Sequence, residues 1–249
     1  MENKPEVNIK KLEKDHLFID GSTKKLYTTN HPDYLFMEFK NDLILKDKKK
    51  SLKIRNKAQN CQMVSAYTFQ FLESYHVPTH YAGKHDDKSM VVKKLDMIPI
   101  LVVVKNVATG SFAKTFKLEE GRLLSTPIIE FYLKDAKLGN PFINEYHLYA
   151  FGHSHQDEVK LVQRLAAKIN ALLKNFFDRR GYKLTECTLE FGRYHNGIIL
   201  GDEITLETMK VWEIGSDRKI DKEICHGNDS EISKIYTEFK DRIVAHKIK

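Results

Sequence analysis

Hydrophobic positions recur along this chain with two periods, near two and near 3.6 residues, and these periods mark out expected strands and helices. HLFID (16–20), Gly21 and KKLYTT (24–29) read as a strand, a tight turn and a second strand, and YLFMEF (34–39) reads as a third. CQMVSAYTFQFLESYHV (61–77) has helical spacing at Met63, Tyr67, Phe71 and Leu72, and Pro78 stops it. MIPILVVV (97–104) is a continuous apolar run of strand length, far too short to span a membrane. ATGSFAKTFKLEEGR (108–122) reads as a small-residue loop entering a short helix or turn.

The clearest helix covers 154–181. Ser154 and Asp157 have capping-box spacing, and Val159, Val162, Leu165, Ile169, Leu172, Leu173 and Phe176 form one stripe, with Gly181 closing it. A last helix is expected over 229–243, with Ile232, Ile235, Tyr236 and Phe239 facing inward. Strands come first and long helices later, which predicts an α+β fold.

Between these helices lies TECTLEFGRYHNGIILGDEI (185–204), two apolar-rich runs around His-Asn-Gly, which reads as a β-hairpin. Side chains alternate, so Thr185, Cys187, Leu189 and Phe191 face a core, and Leu184, Glu186, Thr188 and Glu190 share the other face. A three-residue turn sets Glu190 opposite Asp202; a two-residue Asn-Gly turn sets it opposite Glu203. Either register puts two acids side by side, and like charges in opposition destabilise a sheet pair. Two readings are open. The acids point to solvent and pair with lysines, or a cation such as Mg²⁺ lies between them with phosphate oxygens and water.

The 249 residues allow one large domain or two lobes. Lys and Arg number 41 against 34 Asp and Glu, a net charge of +7, which suits anionic ligands without choosing among them. The run KDKKKSLKIRNK (46–57) reads as a solvated loop; it lacks the interleaved aromatics expected of a nucleic-acid surface. Cys61, Cys187 and Cys225 are too far apart for a thiolate metal site, and with no apolar core in the first 15 residues they point to a cytoplasmic protein. His153 and His155 precede a helix start without a third ligand and read as surface histidines. Trp212 reads as packing, and two readings are open for Lys93 and Lys94, contact with phosphates or solvated neighbours of the segment that follows.

LDMIPILVVVKNVATGSFAK (95–114), TPIIEFYLKD (126–135), NPFINEYH (140–147) and LTECTLEFG…ILGDEI (184–204) occur in an order that resembles the SAICAR synthetase family, and the likeness runs from about Leu17 to the final helix. The resemblance implies a two-lobed α+β fold, similar to kinases and distantly to ATP-grasp ligases, with an ATP cleft between the lobes. It implies a tail over 1–16, a smaller ATP-covering lobe over 17–95 and a larger substrate- and metal-binding lobe over 96–249. It implies a reaction in which carboxyaminoimidazole ribotide (CAIR) and L-aspartate are joined at the expense of ATP with Mg²⁺. The implied partners are these small molecules, with no membrane and no nucleic acid, and a homo-oligomer is left open.

By the same resemblance, Lys24 takes the place of an ATP-contacting lysine, and Leu95 to Met97 that of the segment holding adenine. Glu190 and Asp202 match acids that face metal and phosphates, and with Glu186 they are the implied catalytic acids. Lys105, Ser111 and Lys210 match the ribotide-binding positions. The chain departs from the family pattern in several places. Lys105 and Lys210 replace arginines, Glu186 and Glu207 replace aspartates, and Thr188 replaces a lysine. Thr205, Leu206 and Glu207 replace Ser-Pro-Asp, and Ile44 to Asp47 replace a Ser-Ala-x-Asp loop. The nucleotide side is therefore better kept than the acceptor side. A relative that binds Mg-ATP but uses another acceptor, or none, is the alternative; a basic nucleic-acid-binding protein rests on charge alone.

Overall fold

The computed structural model describes residues 7–44, 51–216, 218–220 and 228–245. The chain opens with β1 (Lys14–Asp20), β2 (Lys24–Thr29) and β3 (Tyr34–Phe39), then a small hairpin of β4 (Asp42–Ile44) and β5 (Ser51–Lys53). Helix α1 (Lys57–Ser74) follows, then β6 (Tyr81–Lys84) and β7 (Ser89–Lys93). The first sheet has the order β1-β2-β3-β7-β6. Next come β8 (Asp96–Met97), β9 (Ile100–Val107), α2 (Gly110–Thr115), β10 (Leu123–Leu133), β11 (Phe142–Ile143), α3 (Glu145–Ala150) and α4 (Gln156–Asp178). The chain continues with β12 (Tyr182–Leu189), β13 (Phe191–Tyr194), β14 (Gly197–Leu200), β15 (Met209–Glu213), β16 (Lys219–Ile220) and α5 (Asp229–Val244). The second sheet has the order β11-β10-β9-β12-β15-β16, and a third joins β14, β13 and β8.

The expected α+β class holds, and β1 begins at Lys14, inside the segment read as a tail. In α4, Val159, Val162, Ile169, Leu173 and Phe176 are buried as the stripe requires, and the helix packs across β9, β10 and β12. Its cap lies one residue later than expected. His155 is the N-cap and its backbone N–H donates to Glu158, while the Ser154 hydroxyl donates to the same carboxylate at 2.8 Å. The apolar run 97–104 is interrupted at Ile98-Pro99, so its start belongs to β8 and the rest to β9. One hydrophobic core runs from the first sheet through α1 to the second sheet, α4 and α5.

Three expectations are corrected. First, α1 buries Cys61, Val64, Phe69 and Leu72, whereas Met63 is 39% exposed, so the inward face is rotated from the one read in the sequence. The helix is covered on two sides, by the first sheet and by α5, and a doubly covered helix has no single apolar stripe. It ends at Ser74, ahead of Pro78. Second, the basic run is no uniform solvated loop. Residues 46–50 lie outside the described residues, Ser51–Lys53 pair as β5, and Lys57 is 1% exposed. Third, the hairpin adopts neither expected register. Tyr194 pairs with Gly197 across a His195-Asn196 turn, and Phe191 with Leu200, so Glu190 falls opposite Gly201. His195 takes the left-handed backbone (φ 51) that the Asn-Gly signal had suggested one position later.

Candidate active site

A cleft of about 880 Å³, within the size range of ligand sites, opens between the first sheet and the second. Its roof carries Phe18, Ile19 and Leu26, and the turn Gly21 to Lys24 hangs over it. Gly21 N–H donates to the Lys24 carbonyl at 3.0 Å, and a Cβ at residue 21 would stand 3.1 Å from that oxygen. This close approach turns the chain so that Lys24 points inward.

The connection between the sheets passes through Leu95 and Met97, which also line the cleft. They fit into a slot left by two glycines. A Cβ at Gly192 would lie 2.7 Å from Leu95 Cβ, and one at Gly201 would lie 3.1 Å from Leu95 Cδ1. Each glycine stands close to an acid of interest, Gly192 two residues after Glu190 and Gly201 just before Asp202.

Glu190 occupies the break between β12, which belongs to the second sheet, and β13, which belongs to the third. Gly201 N–H donates to the Glu190 carbonyl at 2.9 Å, and Asp202 then adopts a left-handed backbone (φ 61), a conformation aspartate tolerates better than most residues. Both carboxylates line the cleft in consequence, although they are not cross-strand partners. Burial, and then the charge of Asp202, push Glu190 up to about 7, against the pull of Lys134 at 2.5 Å. Lys24 lies 2.7 Å from Asp202 Oδ1 and 2.7 Å from Glu203 Oε1. Burial works against its charge, but the two carboxylates outweigh that and hold it protonated far above the usual lysine range.

At the other end of the cleft, a row of charge crosses the second sheet. Glu186 is the direct cross-strand partner of Lys105 on β9 and of Lys210 on β15. Its carboxylate lies 2.5 Å from Lys105 Nζ and 3.1 Å from Lys210 Nζ. Burial opposes its charge, yet Lys210 and Lys105 hold its pKa below the ordinary value. Lys105 also lies 3.6 Å from Glu130, which accepts a 2.8 Å bond from the Tyr132 hydroxyl. Thr188 lines the cleft between Glu186 and Glu190.

Glu186, Glu190, Asp202, Lys24, Leu95, Met97 and Lys210 therefore line one cleft, and Lys105 reaches it through Glu186. Ser111 does not line it. It is exposed in the first turn of α2, beside Phe112, whose ring centre is 5.5 Å from Lys105 Nζ. Lys93 lines the cleft and donates to the Thr79 carbonyl, whereas Lys94 stands over the Phe18 ring. Cys187 is fully buried, as expected of the apolar face.

Sequence reasoning missed Lys134 and His80, and it raised Glu203 only as an alternative partner of Glu190. Lys134 lies in the quoted TPIIEFYLKD, and its place at the end of β10 beside Glu190 follows only from the sheet order. His80 is 3% exposed, and burial pushes its imidazole down to about 3, so it lines the cleft as a neutral ring.

Among the described residues no three His, Cys, Asp or Glu side chains cluster to hold a metal by themselves; His153 is half-buried and His155 exposed. Glu190 and Asp202 supply two carboxylates whose mutual repulsion a dication would relieve. Two oxygen donors, completed by phosphate oxygens and water, fit Mg²⁺ better than an all-protein cage would. Among the described residues no helix is long and apolar enough to cross a membrane.

Known proteins share this fold. The family model for SAICAR synthetase matches residues 17–243. The chain is 38% identical over 233 residues to the phosphoribosylaminoimidazole-succinocarboxamide synthase of Prosthecochloris aestuarii, covering 94% of this chain and 99% of the relative. It is 37% identical over 232 residues to that of Desulfitobacterium hafniense, covering 93% and 98%. A crystal structure of the synthase from Ehrlichia chaffeensis superposes with a TM-score of 0.87 at 30% identity, covering 93% of this chain and 100% of that one. A SAICAR synthetase (type 2) in complex with ADP superposes with a TM-score of 0.86 at 34% identity, covering 94% and 100%. The chain belongs to the SAICAR synthetase family.

Proposed function

We propose that this protein is an ATP-dependent ligase of purine biosynthesis that joins the carboxylate of CAIR to the amine of L-aspartate, releasing SAICAR, ADP and phosphate. The observation that carries the reading is the single cleft in which Lys24, Glu190 and Asp202 meet at one end and Lys105, Glu186 and Lys210 at the other. A carboxylate is a poor electrophile. Transfer of the γ-phosphoryl group to its oxygen releases ADP and makes that oxygen part of a good leaving group. The aspartate amine then forms the C–N bond, the C–O bond breaks, phosphate departs and the nitrogen loses a proton.

We assign the smaller lobe, 17–95, to covering the nucleotide, and the larger, 96–249, to the acceptor substrates. Lys24 meets the phosphates as a point charge. Leu95 and Met97 hold the base. Glu190 and Asp202 hold Mg²⁺, which when bound offsets charge on the transferring phosphoryl group. Glu186 pairs with both Lys105 and Lys210 and positions them for the ribotide phosphate, with Ser111 on α2 as a further ribotide contact. The departures at Lys105, Thr188 and Lys210 favour a second reading, in which Mg-ATP binds but the acceptor differs. A coupled ADP-release assay decides. ADP release that requires both CAIR and aspartate is expected; Mg-ATP binding without such release would overturn the ligase reading in favour of the second.

A further inference from the structure

Lys57 ends the basic run and begins α1. Its side chain is 1% exposed, and burying an ammonium is costly unless it is paired. Its nitrogen lies 2.9 Å from Glu207 Oε1, and the Tyr236 hydroxyl of α5 donates to the same oxygen at 2.7 Å. Glu203 is within electrostatic reach of the same ammonium. Two further bonds hold the segment 203–208, one within it and one to α1. The Thr205 hydroxyl donates to Glu203 Oε2 at 2.7 Å, and the Ile204 N–H donates to Ser65 Oγ of α1 at 3.2 Å.

The acidic segment that starts at Asp202 is thus held by two lysines from opposite sides. Lys24 lines the cleft and touches Asp202 and Glu203 from the front. Lys57 does not line the cleft and sits behind the segment. The difference matters when a polyphosphate enters. Phosphate oxygens compete for Lys24, because charge-assisted bonds to phosphate are strong. Of the three N–H donors of Lys24, two are turned to Asp202 and Glu203, so a phosphate that takes more than the third, or draws the ammonium toward itself, loosens its hold on these carboxylates. Lys57 cannot be drawn away in this manner, so its charge stays with the segment.

We propose that Lys57 is a positioning residue for the reaction: a buried, standing cation that holds the segment 202–208 in place while Lys24 exchanges its carboxylate partners for nucleotide phosphate. The inference rests on the ligase reading for its catalytic meaning, but its nucleotide part stands alone. A buried ion pair is often no more stabilising than an apolar pair of equal volume, so fold stability by itself gives little reason for a lysine here.

The test compares Lys57→Met, Lys57→Arg and the double variant Lys57→Met/Glu207→Gln. Thermal midpoints are measured, and binding of Mg-ADP and of adenosine is followed by calorimetry where each variant is folded. Lys57→Met lowers the midpoint and weakens Mg-ADP about tenfold or more, equivalent to about 1.4 kcal/mol, while adenosine binding stays near that of the parent. The double variant regains part of the midpoint, because the Glu207 charge that Lys57 balanced is removed with it, yet still binds Mg-ADP weakly. Lys57→Arg recovers most of the affinity. If the folded Lys57→Met protein binds Mg-ADP like the parent, or the double variant recovers affinity together with the midpoint, Lys57 serves the fold only and the proposal fails. Should Lys57→Met not fold, the double variant decides by the same criterion. Absence of CAIR- and aspartate-dependent ADP release from the parent would sink the ligase reading, and the Mg-ADP comparison would still decide the role of Lys57.

Discussion

The two ends of the cleft hold lysine–carboxylate arrays built in different ways. At the acceptor end, Lys105, Glu186 and Lys210 are direct neighbours across three hydrogen-bonded strands, so sheet register alone brings them together. At the nucleotide end, Lys24 from the first sheet meets Asp202 and Glu203 from the loop after β14, 178 and 179 positions away in the chain (202 − 24 and 203 − 24). The first array sits on a rigid frame and is partly wet, Lys210 being 31% exposed. The second is drier, with Lys24 at 14% and Glu203 at 1%, and its members hold one another. The comparison teaches that similar charges differ in consequence according to what positions them. The strand row should tolerate loss of a partner, whereas the loop cluster should not.

The largest effect is expected where the loop cluster loses its front cation. Lys24→Met leaves Asp202 and Glu203 without it in a nearly dry site, and removal of one partner from a buried pair costs about 3–5 kcal/mol. The midpoint of thermal unfolding should fall sharply, and Mg-ADP affinity should drop far more than adenosine affinity. Added Mg²⁺ should raise the midpoint of the variant more than that of the parent, because a dication can take over part of the missing charge. Calorimetry with both ligands and unfolding with and without Mg²⁺ check this. Equal losses for the two ligands would return Lys24 to a structural role.

An intermediate effect is expected from the strand row. Glu186→Gln leaves Lys105 and Lys210 facing each other across a neutral amide that can still accept a hydrogen bond. The cost should be about 1–3 kcal/mol, less than for Lys24→Met. The two ammonium groups then lose the counter-ion they share, while Glu130 stays 3.6 Å from Lys105. Inorganic phosphate should therefore stabilise this variant more than the parent, which thermal shift at increasing phosphate concentration measures. No difference in phosphate response would mean that Glu186 does not restrain these lysines.

How far the sequence discloses each end follows from the same contrast. Alternation separates the buried Cys187 and Leu189 from the cleft-facing Glu186 and Thr188, but it fails at Leu184, which it set beside Glu186 and which is buried in the core beyond an irregularity in the β12–β15 pairing between Leu184 and Glu186. It cannot find the break at Glu190, where one strand passes from the second sheet to the third, nor the left-handed turn at Asp202. The register was misread because Asn-Gly is a strong local signal, while the structure pairs Gly197 and turns at His195-Asn196. The helices α4 and α5 were legible because each buries one face; α1, covered on two sides, was not. Lys57 was hidden for a related reason. In a run of lysines nothing local marks the one whose ammonium meets a carboxylate from residue 207. The resemblance to a family named Asp202 beside Glu190 where spacing alone left Asp202 and Glu203 open; both Glu190 and Asp202 line the cleft, though not as cross-strand partners.

The smallest effect distinguishes two carboxylates on a single stretch of chain. Glu186 and Glu190 are four positions apart, and their pKa values move in opposite directions. Both are opposed by burial. For Glu186, Lys210 and Lys105 overcome it. For Glu190, Asp202 adds to it and Lys134 does not compensate, so the carboxyl rises from 4.5 to about 7. In the ligand-free protein, the folded state then holds the Glu190 proton more tightly than the unfolded chain does. Stability from this group is fully present below pH 4.5, declines as pH rises, and is lost above about 7. Glu186 has the opposite sign: its contribution is present above the ordinary value of 4.5 and lost as pH falls below it. Chemical denaturation of the parent, Glu190→Gln and Glu186→Gln across this range separates the two. Glu190→Gln should remove the decline between pH 4.5 and about 7, so that the variant gains on the parent as pH rises. Glu186→Gln should keep that decline and lose ground to the parent as pH rises from acid. Parallel curves for parent and Glu190→Gln would mean that Glu190 is already ionised at neutral pH, with Lys134 as its full counter-charge, and the contrast between the two ends of the cleft would then rest on geometry alone.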